Sequence, residues 1–268
     1  MSWRKPHTTF ISFCLVFLVG LLLSGLPMQV LAQQSNPQVQ GRWVTSQPLA
    51  GLAPGILQAI APPPKPNAGN RQPGGGRGCG REMPKPPLTA LIPESTFGTT
   101  VESYPKFLSF IPQTSETTAR FVLTDEEKQV RVYEKMFTIP SSPGIVKLNL
   151  PTDKTLPPLE VGKYYRWNLS IICVFQDRSA DIYVEGLVQR VEPSSTLTSQ
   201  LEKASPHKRV DIYKDNDLWY DALATLAEQR GLKPEDAAIQ AEWENLLRSQ
   251  GLSEISQTPL RAVFISPK

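Results

Sequence analysis

The sequence predicts a mainly β fold with a helical C-terminal part: an antiparallel β-sandwich of about seven strands, then a helical hairpin, behind a signal peptide and a disordered linker. Three observations carry this. Short branched and aromatic segments recur between turn residues from Leu88 to Glu192; the apolar spacing becomes helical after Pro193; and a Pro/Gly-rich stretch precedes both. The implied boundaries are signal 1–32, linker 33–87, sandwich 88–192 and a helical region 193–268 packed on the sandwich.

The strand segments are Leu88 to Ile92, Lys106 to Ile111, Ala119 to Leu123, Val130 to Ile139, Ile145 to Leu150, Tyr164 to Phe175 and Asp181 to Val191. Phe121 and Leu123 lie two apart and share a face, and Val130 and Val132 share one opposite Arg131 and Tyr133, the alternation a strand with one buried face requires. Trp167, Leu169 and Ile171 lie two apart and share a face, which we expect in the core. Further on, Leu197, Leu201 and Ala204 fall at helical spacing. Asp217 is the expected cap of a helix from Leu218 to Arg230, stopped by Gly231. Pro234, Glu235 and Asp236 open another, lined by Ile239, Trp243, Leu246 and Leu247 and ended by Gly251. This hairpin resembles one tetratricopeptide unit, but it has no second copy, so burial of its apolar face against the sandwich is the expected outcome.

At the N-terminus Arg4 and Lys5 precede an apolar run from Phe10 to Leu26, then Pro27 and Val30-Leu31-Ala32. That order predicts export to a periplasmic or extracellular location with cleavage after Ala32, so that Gln33 starts the mature chain. An uncleaved anchor is the alternative, although Pro27 closes the run near the lower length limit for a span. Asn36 to Pro87 contains Pro62-Pro63-Pro64-Lys65-Pro66 and Pro73-Gly74-Gly75-Gly76-Arg77-Gly78-Cys79-Gly80, which reads as a linker. The glycine run lacks the Lys-Ser or Lys-Thr of a phosphate loop.

Loss of Arg4 and Lys5 leaves 26 basic against 25 acidic residues, a net charge of +1. Such a balance gives no electrostatic footprint for nucleic acid, and no later run is long enough to span a bilayer. Cys14 departs with the signal, and the remaining Cys79 and Cys173 are an even count in an exported chain, so a disulfide between them is expected. A redox or metal-binding pair would want close Cys-x-x-Cys spacing or nearby histidines.

Gly78-Cys79, Leu88-Thr89-Ala90-Leu91-Ile92-Pro93-Glu94, Gly144-Ile145-Val146, Glu160 to Trp167, Val184-Glu185-Gly186 and Trp219-Tyr220-Asp221-Ala222-Leu223 together resemble the cyanobacterial family labelled domain of unknown function 928. The resemblance runs in order from about Gly78 to Leu260. It implies a cyanobacterial envelope protein, with both mature cysteines where the family places its pair, and it implies no activity.

Candidate chemistry is sparse. With His7 gone in the signal, His207 stands alone in Ser205-Pro206-His207-Lys208-Arg209, which reads as a solvated loop. A histidine-based metal site therefore lacks ligands, and no cofactor is implied. Asp177, Asp181 and Glu185 cluster near one hairpin, and facing carboxylates could hydrolyse a glycoside. Asp215-Asn216-Asp217 lacks the glycine and distal glutamate of a calcium loop and reads as a turn and cap. No catalytic residue is assigned, and no binding residue is defined by sequence. The preferred function is a non-catalytic module that binds another envelope protein. The alternatives are a glycan or cell-wall binder using Trp43, Tyr104 or Tyr183, and a carboxylate-dependent hydrolase.

Overall fold

A computed structural model describes residues 69–73, 77–79, 81–262 and 264–265; the expected signal, most of the linker, and His7, Cys14 and Trp43 lie outside the described residues. Each of the seven predicted segments contains a strand: β3 (Thr89–Ala90), β5 (Lys106–Ile111), β6 (Thr118–Asp125), β7 (Val130–Thr138), β8 (Gly144–Asn149), β9 (Tyr164–Ile171) and β10 (Ile182–Arg190). Five more short strands join them. They are β1 (Arg77–Gly78) and β2 (Arg81–Glu82), which pair as a ribbon, β4 (Phe97–Thr100), β11 (Leu260–Arg261) and β12 (Phe264–Ile265). Two sheets result, one ordered β12-β7-β6-β9-β10-β4 and the other β11-β8-β5-β3.

The sheets are mixed rather than purely antiparallel. β4 runs parallel to β10, and β11 runs parallel to β8. Both are reached by long connections, one from before the sandwich's central strands and one from beyond the helices, and such connections permit parallel pairing that a tight hairpin forbids. Along β6 the buried and half-buried positions alternate, and Phe121 and Leu123 point inward as expected. On β7 the register slips: Leu123 faces Tyr133 and Thr124 faces Arg131, leaving Val132 unmatched. This bulge breaks the alternation. Val132 and Tyr133 both lean on the core, while Val130 is 54 % exposed, so the two valines do not share a buried face.

Four helices follow: α1 (Ser195–Lys203), α2 (Pro206–Asp215), α3 (Trp219–Leu232) and α4 (Ala237–Arg248). The stretch read as a loop around His207 is the first turn of α2, because Ser205 caps Lys208 N and Pro206 occupies a position whose N–H would be unused. Asp217 does not cap α3. It adopts a left-handed backbone with φ 57, and Leu218 stands at the cap without a side-chain bond. Gly231 lies inside the last turn of α3 rather than after it. Asp236 caps α4 by accepting from Ala238 N and Ile239 N, and Gly251, at φ 66, follows α4 where Leu252 N bonds back to Leu247 O.

Order also begins earlier than the linker boundary at 87. Glu185 N donates to Asn70 O, and Ala90 N donates to Arg71 O, so residues 69–71 stitch β10 to β3. Cys79, in the turn of the β1–β2 ribbon, is disulfide-bonded to Cys173, with their Cα atoms 4.9 Å apart.

One buried cluster unites both sheets with the helices. Phe107 of β5 lies 5.2 Å from Phe121 of β6, 5.2 Å from Trp167 of β9 and 5.5 Å from Tyr220 of α3, centroid to centroid. Trp167 Nε1 donates to the Tyr220 hydroxyl at 2.8 Å, and that hydroxyl donates to Leu187 O at 3.0 Å. Gly186 must be glycine here, since a Cβ would meet Trp167 Nε1 and Ile92 Cδ1, each at 2.9 Å. Trp219 Nε1 reaches Leu91 O at 3.0 Å and pins the same turn of α3 to the strand β3 region. A second, smaller cluster of Leu197, Ile212, Tyr213, Leu218 and Ala222 attaches α1 and α2 to α3.

Two stability outcomes follow from this core. Tyr220→Phe should lower the unfolding free energy by about 2 kcal/mol in urea denaturation, because it leaves a buried N–H and a buried carbonyl unpaired. In a double-mutant cycle with Trp167→Phe, a coupling of about 1 kcal/mol is expected, and strict additivity would contradict the pairing. Replacing both Cys79 and Cys173 by alanine opens a loop of sequence separation 94. Chain entropy sets an upper loss of about 4 to 5 kcal/mol, and a melting temperature unchanged under oxidising conditions would rule out any stabilising role for the bond.

Candidate functional site

β4 is the outermost strand of its sheet, and α3 is set against it. Gly98 makes that approach feasible: a Cβ there would sit 3.0 Å from Tyr220 Cε2 and 3.2 Å from Trp219 Cβ. Thr99 Oγ1 donates to Asp217 O at 2.8 Å and closes one end. What remains between β4, α2, α3 and α4 is a groove of about 410 Å³. Phe97, Gly98 and Thr99 are consecutive and all line it, so it follows the strand's edge rather than one of its faces. Leu218, Trp219 and Leu246 supply apolar wall, and Lys214, Asp217 and Gln250 bring polar groups of both charge signs.

Behind the groove lies a buried acid. Asp221 belongs to the first turn of α3 and is 3 % exposed. Neither carboxylate oxygen has a hydrogen-bond partner of good geometry. It borders a cavity of about 30 Å³ whose wall includes Thr100, Glu102, Lys106, Tyr213 and Tyr220. Burial, reinforced by the charge of Glu102, pushes the Asp221 carboxyl up to about 7 against the partial pull of the Thr100 hydroxyl and nearby backbone N–H groups. Tyr213 is pushed up to about 12, by burial first and then by Asp221 and Glu102.

The acids singled out by sequence have structural duties instead. Asp177 caps the 3-10 turn Arg178–Ala180 by accepting from Ser179 N at 3.0 Å. Asp181 accepts from Cys173 N at 3.1 Å and from Arg178 Nε at 2.6 Å. Glu185 accepts from Arg166, whose guanidinium also grips both oxygens of Glu126. Asp181 and Glu185 are thus each held by an arginine, Arg178 and Arg166 respectively. Asp215 ends α2, and Asn216 Nδ2 donates to Ile212 O at 2.8 Å, in keeping with a turn. His207 is exposed, with Nδ1 3.1 Å from Glu242 Oε2 on α4.

Of the aromatic candidates for glycan contact, Tyr104 packs on the core and donates to Leu156 O at 3.2 Å, so its ring is not presented. Tyr183 is 42 % exposed on β10, and Trp43 lies outside the described residues. Among the described residues no group of three or more His, Cys, Asp or Glu side chains could hold a metal ion. No described helix is long and apolar enough to cross a membrane.

Asp221 and the β4 edge were missed as functional candidates. A signal for the first was present: an acid inside Trp219-Tyr220-Asp221-Ala222-Leu223, where every residue is buried, interrupts an otherwise apolar stretch. Comparison with curated proteins and with solved structures finds no match to this chain. The family model described as Domain of Unknown Function (DUF928) matches residues 72–260, which is more than half of the sequence, and the chain therefore belongs to the DUF928 family.

Proposed function

We propose that this chain is an exported, non-catalytic interaction module of the cell envelope, and that the groove beside β4 receives an extended segment of a partner protein. The groove carries the reading. It combines the edge of an outermost strand with an apolar wall, the combination by which sheet edges take up extended peptides. The Phe97 N–H and carbonyl are engaged by Ser95 Oγ, so an incoming segment would have to compete for them, while Phe97, Trp219 and Leu246 supply a seat for an apolar side chain. Rim groups of both signs, Lys214 and Asp217, suit a polypeptide better than a uniformly charged polymer. Export is supported by the apolar run from Phe10 to Leu26 behind Arg4 and Lys5, and by a disulfide that an oxidising compartment would preserve.

Export has a direct test in N-terminal sequencing of the protein from fractionated native cells. A periplasmic or released species beginning at Gln33 is expected, and a cytoplasmic species retaining Met1 to Ala32 would defeat the export half of the reading. For the groove, a photoreactive residue is placed at exposed Ser249, on the rim, and a second at exposed Phe175 as a control away from it. The Ser249 position should crosslink to one contiguous segment of an envelope protein, with the yield falling at least tenfold in Phe97→Asp and remaining in Phe175→Ser. Crosslinks that map to Phe175 and survive Phe97→Asp would move the contact surface elsewhere, and selective retention on a glycan array would favour the sugar-binding alternative.

A further inference from the structure

We propose that Asp221 is a proton-controlled latch: with its carboxyl neutral the first turn of α3 packs against β4 and α2, and with its carboxyl ionised that packing loosens. The geometry offers the charge no cation and only the partial pull of the Thr100 hydroxyl and the backbone N–H groups of Val101 and Asp221. Asp221 is buried to 3 % exposure with two unpartnered oxygens. The groups that face it can be named element by element. The stretch from β4 to β5 brings Thr100, Glu102, Tyr104 and Lys106 to the cavity wall; α2 brings Tyr213; α3 adds Tyr220; and α4 contributes none. Glu102 repels a second negative charge. Lys106 is drawn to Glu228, with its Nζ 2.7 Å from that carboxylate, and is not free to neutralise Asp221. Burial pushes the Tyr213 and Tyr220 hydroxyls up, so neither brings a countercharge.

The size of the cavity decides what the ligand is. At about 30 Å³ it holds about one water molecule and no organic substrate, so the species that Asp221 exchanges is a proton. The consequence travels because Asp221 shares its turn with two anchors. Trp219 bonds to Leu91 O, and Tyr220 bonds to Trp167 and Leu187 O, so loosening this turn reaches both sheets. It also reaches the groove, two of whose walls are Trp219 and Thr99.

The sign is set by a folded-state value near 7, above the ordinary 3.8. The folded state therefore binds the proton more tightly than an opened state does. Stability contributed by this proton is complete below about pH 3.8, declines as pH rises toward about 7, and is fully lost above it. Asp125 and Glu228, whose values are lowered, act in the opposite direction and only at pH below the ordinary carboxylate range. They are flat across the window in question.

The experiment is hydrogen exchange on the folded chain, reading the α3 amides from Trp219 to Leu226 at pH 5.5 and pH 8.5 after correction for intrinsic exchange. Linkage predicts that the opening constant rises about thirtyfold over that interval in the wild type and stays flat in the near-isosteric Asp221→Asn. His207→Gln is measured in parallel as a control, because His207 and Glu242 link α2 to α4. The same slope in Asp221→Asn, or a flat wild type, overturns the proposal. Should Asp221→Asn not fold, carboxyl-carbon NMR titration of the wild type decides: a midpoint near 7 for Asp221 supports the latch, and one in the ordinary carboxylate range refutes it.

Discussion

The hydrogen bond from Trp167 to Tyr220 sits where three layers meet, and the rest of the structure is arranged around it. A tryptophan N–H buried between two sheets must find an acceptor, since an unpaired one would cost about 1 to 3 kcal/mol. No strand offers it. The acceptor is the Tyr220 hydroxyl of α3, which in turn donates a hydrogen bond to Leu187 O on β10. The sandwich is thus completed by a helix, and the helix is buried by the sandwich, which explains why α3 is apolar on almost every side of its first two turns. Gly98 and Gly186 are the two places where a side chain is absent so that these aromatic rings can close on the strands.

The strands that were readable are those with one buried face and a long enough run to repeat. Residues of β5 to β10 carry recurring branched or aromatic side chains, and each strand falls in its expected segment, although β9 stops at Ile171 rather than continuing to Phe175. β4 is Phe-Gly-Thr-Thr and has no alternation to read; it is a strand because it lies between β10 and α3. β11 and β12 are dipeptides whose pairing depends on the helices first bringing the chain back. The bulge at Val132 reversed a face assignment for a related reason, since one inserted residue exchanges inward and outward positions without changing composition. Helix α2 was hidden by its polar first turn, although Ser205 followed by Pro206 is a start signal that composition alone had obscured.

The site was less accessible to sequence than the fold. The acids that cluster in the sequence, Asp177, Asp181 and Glu185, cap a turn or hold arginines. Clustering near turns is where carboxylates most easily bond to nearby backbone groups. The unusual acid was the isolated one. Its environment arises from residues far apart in sequence, Thr100 and Glu102 on one side and Tyr213 on the other, and only the folded chain brings them together.

Charges elsewhere in the fold show why Asp221 stands apart. Arg166 is partly buried but holds Glu126 with two bonds and Glu185 with a third. Asp125 is nearly as buried as Asp221, yet it accepts from the backbone N–H of Glu127 and Lys128 and lies 3.6 Å from Lys163, which outweigh its burial and lower its value. Glu228 sits between Lys106 and Lys147, at 2.7 and 3.3 Å. In each case the fold meets desolvation with donors or countercharge, as stable interiors require. Asp221 is on the same helix as Glu228, less than two turns away, and receives neither a cation nor a well-formed donor. An asparagine there would carry no charge to desolvate. Keeping an ionisable group at the junction of β4, α2 and α3 makes the docking of the helices depend on a proton, and it is this dependence, rather than a reactive cleft, that the folded arrangement of charges singles out.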